Sequence, residues 1–147
     1  MTRTILVPFD GSDPSRSALE YARGLDGDER VVALNVVEPI TGVPEGERGP
    51  YERAFERAQE RLSEAEAAGT AFDDGFDAEF RYGHPLHELL RYVDRYVVEE
   101  VVMGAHGRDG AEELLLGSVA ESLVRRSPVP TTVVRGSGGG EPPGSVL

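Results

Sequence analysis

A chain of 147 residues is most simply one domain, long enough to hide roughly two-thirds of its surface on folding. It contains no cysteine, which excludes a disulfide framework, a thiolate nucleophile and a cysteine-bound metal, and its three histidines leave little for any other metal centre. The net charge of −12 repels nucleic acid and anionic membrane surfaces at long range, so neither is an expected partner. The same charge repels a free nucleotide, so any phosphate site must rest on local backbone donors and a few arginines. All fifteen basic residues are arginine, and this acid-rich, lysine-free balance looks like that of proteins from salt-loving organisms, where salt screens self-repulsion within a few ångströms. No apolar run approaches the ~20 residues of a membrane span, and no leader-like apolar region precedes the first strand, so a soluble, cytoplasmic protein is expected.

The first element is the apolar run Ile5-Leu6-Val7-Pro8-Phe9. A short continuous run of this kind reads as a strand covered on both faces, with Pro8 at its end because proline cannot donate to a ladder. Asp10-Gly11-Ser12-Asp13-Pro14 is a turn into a helix, with Asp13 as the expected N-cap and Pro14 as the first helical residue. Ala18, Leu19, Ala22 and Leu25 recur at helical spacing, and Asp26-Gly27-Asp28 is the expected stop. Val31 to Val37 is a second buried strand. The segment 38–50, with three prolines and three glycines, is a loop of a length that is often functional or mobile.

Tyr51, Phe55, Ala58, Leu62 and Ala65 mark one face of an amphipathic second helix that Gly69 stops. Phe76, Ala78, Phe80 and Tyr82 alternate with Asp77, Glu79 and Arg81, which predicts an edge strand exposed on one face. Gly83-His84-Pro85 turns into a third helix marked by Leu86, Leu89, Leu90, Val93 and Val97. Val101-Val102-Met103 is a fourth strand. Ser118-Val119-Ala120-Glu121 matches a capping box, so a last helix should begin near Ser118 and end before Pro128. Residues 130–134 form a final short strand, at an edge by virtue of Pro130, and the glycine- and proline-rich segment 136–147 is expected to be a disordered tail. Strands alternating with helices make this an α/β sandwich with a mostly parallel sheet.

Between the fourth strand and the last helix lies MGAHGRDGAEELLLGSV, with the spacing Gly104-x2-Gly107-x9-Gly117-Ser118. Glycines after a strand allow a sharp turn and a close backbone approach to a ligand, and the helix start presents unpaired N–H groups that favour an anion. This is either a phosphate cradle or a set of glycine-rich turns with no ligand. In open α/β sheets ligands bind outside the carboxyl ends of strands where the strand order reverses. If the first and fourth strands are neighbours there, Asp10 faces the glycine loop. It then either accepts from ribose hydroxyls or serves as a turn residue.

Together, ILVPFDGS near the N-terminus, NVVEP after the second strand, and GAHGRDG…LLLGSVAESLVRRSPVPTTVVR resemble the universal stress protein family over residues 3–135. The double-glycine spacing ending in Gly-Ser is similar to that of its ATP-binding branch. The resemblance implies a five-stranded parallel sheet of order 3-2-1-4-5 with helices on both faces, over a domain spanning 1–135. It implies a homodimer paired through the last strand, for which Val129 to Arg135 fit. It also implies a bound nucleotide, ATP with Mg²⁺, or AMP or ADP. Carried over by position, Pro8 and Asp10 would line the adenosine pocket, with Asp10 towards the ribose. Val36 would contact adenine through its backbone, and Met103 and Gly104 would close the nucleoside site. Gly107, Arg108, Gly117, Ser118 and Val119 would hold phosphates, mostly through N–H groups, with the Ser118 hydroxyl as a further donor. Asp109 stands where a small hydroxyl residue is usual, Glu112 and Glu113 add negative charge, and Phe9 is larger than expected. Acids pointing inward would oppose a triphosphate; outward is favoured, because carboxylates are rarely buried unpaired.

Other chemistry finds little support. His84 and His87 lie three apart across a helix start with no third ligand placed, and read as a turn residue and a surface residue. His106 either touches phosphate when protonated or faces solvent. No serine–histidine–acid set is evident, and a lysine-free chain cannot carry a P-loop. Three functions remain: a nucleotide-dependent dimeric regulator of stress response with slow or partner-dependent hydrolysis, a relative that has lost nucleotide binding and acts through protein contacts, and an adenylating enzyme, for which no base or nucleophile is placed.

Overall fold

A computed structural model describes residues 3–25, 29–38, 50–70, 72, 75–105 and 117–135. Expectations for His106, Gly107, Arg108, Asp109, Glu112 and Glu113, for most of the loop before Pro50, and for the tail fall outside the described residues. The elements are β1 (Arg3–Pro8), α1 (Asp13–Arg23), β2 (Glu29–Val37), α2 (Pro50–Gly69), β3 (Phe76–Tyr82), α3 (Pro85–Arg95), β4 (Glu100–Gly104), α4 (Ser118–Arg126) and β5 (Thr131–Val134). All strand pairs are parallel, in the order β3-β2-β1-β4-β5. This is the topology the resemblance implied.

The continuous apolar runs are explained by burial on both sides. On one face Ile5, Val7, Val31 and Ala33 pack with Ala18, Leu19 and Ala22 of α1 and Ala65 of α2. On the other, Leu6, Val32, Leu34, Val101 and Met103 pack with Leu89, Tyr92 and Val93 of α3 and Ala120 and Leu123 of α4. Because side chains alternate along a strand, each run supplies both cores. The chain builds β1, β2 and β3 outward in one direction, then returns to place β4 on the other side of β1. That reversal lies between β1 and β4, and it positions the site.

Several local expectations shift. Ser12, not Asp13, caps α1: its hydroxyl accepts from Ser15 N–H at 3.3 Å, and Asp13 and Pro14 open the helix. The helix ends at Arg23 with Gly24 as its cap, earlier than the predicted stop, and Leu25 beyond it still packs on the core. In α2 the buried face runs through Ala54, Ala58 and Ala65, whereas Phe55 is 46% exposed and meets Phe80 edge-on. Alanines let this helix lie close to the sheet; the larger Phe55 is left at the border. Gly69 does end α2, and a Cβ there would sit 2.2 Å from the Phe76 ring. At α4 the capping box does not form. Gly117 is the N-cap, Ser118 is the first helical residue, and Glu121 pairs with Arg125 one turn on. Val97, expected on the apolar face of α3, lies past its end and is 84% exposed.

The polar side of β3 is also more covered than alternation suggested. Glu79 and Arg81 are half-buried because Tyr92 of α3 packs beneath them. Its hydroxyl donates to Glu79 at 3.0 Å, and the Arg81 guanidinium lies 5.5 Å from its ring centre. Burial, and then the hydrogen bond to Glu79, push the Tyr92 phenol up from its ordinary 10 to about 12. The folded chain therefore holds this proton more tightly than the unfolded chain. The stability it contributes is complete below pH ~10 and is lost as pH rises through about 12. Urea unfolding should show a fall in stability across that window that is shallower in Tyr92→Phe; parallel curves would refute the linkage.

Candidate functional site

At the carboxyl end of β1 the chain must turn sharply to start α1 on the sheet's face. Gly11 takes φ +81°, a conformation side-chain-bearing residues avoid, and the Asp10 carboxylate accepts from Ser12 N–H at 3.0 Å. Asp10 thus performs the turn role, and it does so at the rim of a cavity. The end of β1 is tied to β2 twice: Phe9 N–H donates to the Leu34 carbonyl at 2.9 Å, and Asn35 Nδ2 donates to the Phe9 carbonyl at 2.8 Å.

The cavity, about 600 Å³, opens where the strand order reverses. That volume falls within the usual range for small-molecule sites. Eight of the ten residues proposed from sequence line it: Pro8, Asp10, Val36, Met103, Gly104, Gly117, Ser118 and Val119. The other two, Gly107 and Arg108, are outside the described residues. Phe9 also borders the cavity but does not fill it. Its ring is 2% exposed, packed into the core beside Ala18 and Leu19, with the Arg16 guanidinium 5.8 Å above it.

The glycines divide by role. A Cβ on Gly104 would lie 2.6 Å from Pro14 Cβ and 2.7 Å from the Pro14 carbonyl carbon. The close approach that excludes a side chain there is that of α1, not of a ligand. Gly117 N–H donates to the Ala105 carbonyl at 2.7 Å, closing the loop between β4 and α4, so this amide is already engaged. The first turn of α4 is different. Its first backbone hydrogen bond runs from Glu121 N–H to the Gly117 carbonyl, which leaves the N–H groups of Ser118, Val119 and Ala120 without partners inside the helix. With the helix dipole they favour an anion at the mouth.

Five further lining residues were not read from the sequence as part of a site. Ser12, Ser15 and Asn35 line the cavity, as do Arg57 and Arg61 of α2. Asn35 had a visible signal, a lone amide in the run VVALNVV. The arginines had none, since on a helix rich in Glu and Arg they look like any solvated face. Arg57 donates to the Glu38 carbonyl, and Arg61 is held by Glu64 at 2.6 Å and Glu60 at 3.9 Å. The cavity wall is therefore close to charge-balanced, and the backbone amides of α4 remain its principal anion donors. His84 serves as the N-cap of α3 through its backbone only, and His87 is exposed. Among the described residues no three His, Cys, Asp or Glu side chains are grouped to hold a metal ion, and no helix is long and apolar enough to cross a membrane.

The universal stress protein family matches residues 1–135. Universal stress protein YxiE of Bacillus subtilis is 31% identical over 149 residues, covering 92% of this chain and all of that protein. A universal stress protein family protein of Arabidopsis thaliana, solved with AMP bound, superposes with a TM-score of 0.69 at 16% identity, covering 97% of both chains. A universal stress protein solved in complex with cAMP superposes with a TM-score of 0.67 at 21% identity, covering 90% of this chain and 96% of that one.

Replacing Gly104 by alanine should destabilise the fold by about 1–3 kcal/mol, because Pro14 backbone atoms cannot yield as a flexible side chain would. Thermal unfolding in the absence of any ligand checks this; an unchanged midpoint would return Gly104 to a purely ligand-facing role.

Proposed function

The chain belongs to the universal stress protein family, and on that footing we propose that it binds an adenine nucleotide in the cavity between β1 and β4. ATP is the first candidate, with AMP or ADP as the alternatives. The observation that carries this reading is the convergence of the Asp10 turn, the end of β4 and the start of α4 around one space of about 600 Å³. The anionic end belongs at Ser118 and Val119, where helix amides stand open, and Asp10 lies within the same wall for a ribose hydroxyl. The AMP and cAMP complexes of the two structural relatives support a nucleotide as the class of ligand. Mg²⁺ would arrive on the phosphates, since it usually keeps its waters and binds through phosphate oxygens rather than a protein cage.

In this reading the protein is a cytoplasmic, dimeric regulator of stress response whose bound nucleotide biases a protein surface, with slow or partner-dependent hydrolysis. The edge strand β5 supplies the dimer contact, because an unpaired edge invites pairing with its own copy. One observation favours the second reading, a family member that acts through protein contacts without a nucleotide: the Gly117 amide is bonded to Ala105, and the Asp10 carboxylate is bonded within its own turn.

Mass spectrometry of small molecules released from freshly purified protein separates the two readings; the first expects an adenine nucleotide and the second none. In calorimetric titration at high salt, Asp10→Ala, which removes a polar partner of the ligand, and Gly117→Val, which puts a branched side chain on the cavity wall beside the α4 amides, should each weaken ATP binding about tenfold or more. Unchanged affinity in both variants would count against the site. Deleting residues 130–135 should give monomers or aggregates, and a well-folded dimer by light scattering would contradict the role assigned to β5.

A further inference from the structure

Among the described residues β3 pairs with β2 alone. Their register runs from Phe76 to Tyr82 without a bulge. Hydrogen bonds close it at both ends: Val31 N–H donates to the Gly75 carbonyl at 2.7 Å, and Gly83 N–H donates to the Val37 carbonyl at 3.0 Å. Successive residues of a strand turn their N–H and C=O groups to opposite sides. Asp77, Glu79 and Arg81 therefore share the inward side with Gly75 and Gly83. Phe76, Ala78, Phe80 and Tyr82 turn their backbone groups to the outer edge. The usual guards of such an edge are missing, since β3 holds no proline or bulge and the chain holds no lysine.

The side chains beside this edge suit a contact. Phe55 of α2, 46% exposed, meets Phe80 edge-on with ring centres 6.4 Å apart, and Phe80 meets Tyr82 in the same way at 5.5 Å. On the other face of the strand Arg30 pairs with Asp77 and Arg81 with Glu79. This border is thus charge-balanced on a chain of net charge −12. We propose that β3 pairs antiparallel with β3 of a second copy about a two-fold axis at Phe80, extending the assembly beyond the dimer assigned to β5. Charge selects the register. Opposed residues must present the same side of the backbone, so the axis passes through a residue. At Ala78 it would set Asp77 against Glu79; at Glu79 or Arg81 it would set a charge against itself. At Phe80 it sets Glu79 opposite Arg81 twice, and opposite charges across strands attract where like charges destabilise. The same axis brings Phe80 against its own copy, beside the exposed Phe55 rings, and Tyr82 against the small Ala78. Because both copies are acidic, the contact forms at high salt and high protein concentration.

The test is sedimentation of the full chain in molar potassium chloride over a series of protein concentrations. The native assembly should double in size as concentration rises, from two chains to four, and lowering the salt should reverse the change. Ala78→Pro removes an outward N–H and no bond to β2. It should raise the concentration needed for doubling about tenfold or more, since each contact loses an edge hydrogen bond from both copies. The chain has no cysteine, so single cysteines report the register. Phe80→Cys should form a disulfide between copies on oxidation, because directly opposed residues lie about 5.5 Å apart at Cα. Ala78→Cys, four residues out of step with its own copy, should not. Should Ala78→Pro fail to fold by circular dichroism, the native series and the two cysteine variants still decide. Were β5 not a dimer contact, the series would run from one chain to two with the cysteine results unchanged. A size independent of concentration, doubling by Ala78→Pro at native concentrations, or a disulfide in Ala78→Cys and not in Phe80→Cys would each overturn the assignment. The edge would then be left to solvent or to an extended segment of a different protein.

Discussion

The pairing of β1 with β4 is the constraint on which the rest of the molecule depends. Leu6 stands opposite Val101, and the two strands end side by side at Pro8 and Gly104. Without that ladder the turn at Asp10 and the start of α4 would belong to unrelated parts of the chain. With it, α1 must cross the end of β4 so closely that Pro14 occupies the space a Gly104 side chain would need. The reversal of strand order leaves a gap between the helices that leave β1 and β4, and the gap is the cavity. Its floor is rigid because Phe9 is bonded to β2 through both its N–H and its carbonyl.

The electrostatics of this gap follow from its position as well as from its residues. An exterior with a net charge of −12 opposes any anion in solution, and the arginines at the wall are matched by Glu60, Glu64 and a backbone carbonyl. What remains is the start of α4, where three amides have no place in the helix ladder. Backbone dipoles of this kind are insensitive to the acidic surface composition, since they are supplied by the fold. A chain can thus become strongly acidic outside while keeping an anion-seeking point inside.

Two faces of the structure are built differently. The α2 side is lined with small residues, Ala54 and Ala58, and a helix held that close brings Arg57 to the cavity wall. The α3 side is filled by larger groups, with Tyr92 reaching under β3 to Glu79. That bond joins helix to edge strand through a polar pair, and it is why Glu79 and Arg81 are less exposed than their alternation with Phe80 and Tyr82 suggested.

The order of elements, the double burial of β1, β2 and β4, and the edge position of β3 were legible in residue pattern, because each depends on local hydrophobic period and on proline or glycine at defined places. Eight of the residues that line the cavity were named in advance as well, through the resemblance that Pro8-Phe9-Asp10 and the stretch Gly104 to Val119 help to carry. Capping was not: Ser12 and Gly117 took positions that the pattern assigned to Asp13 and Ser118, since a one-residue shift changes no hydrophobic spacing. Nor was the division of labour among the glycines, or the arrival of Asn35 and Arg57 at one wall. These depend on how closely α1 and α2 approach the sheet, a distance set by side chains far apart in the chain and therefore decided only when the layers pack.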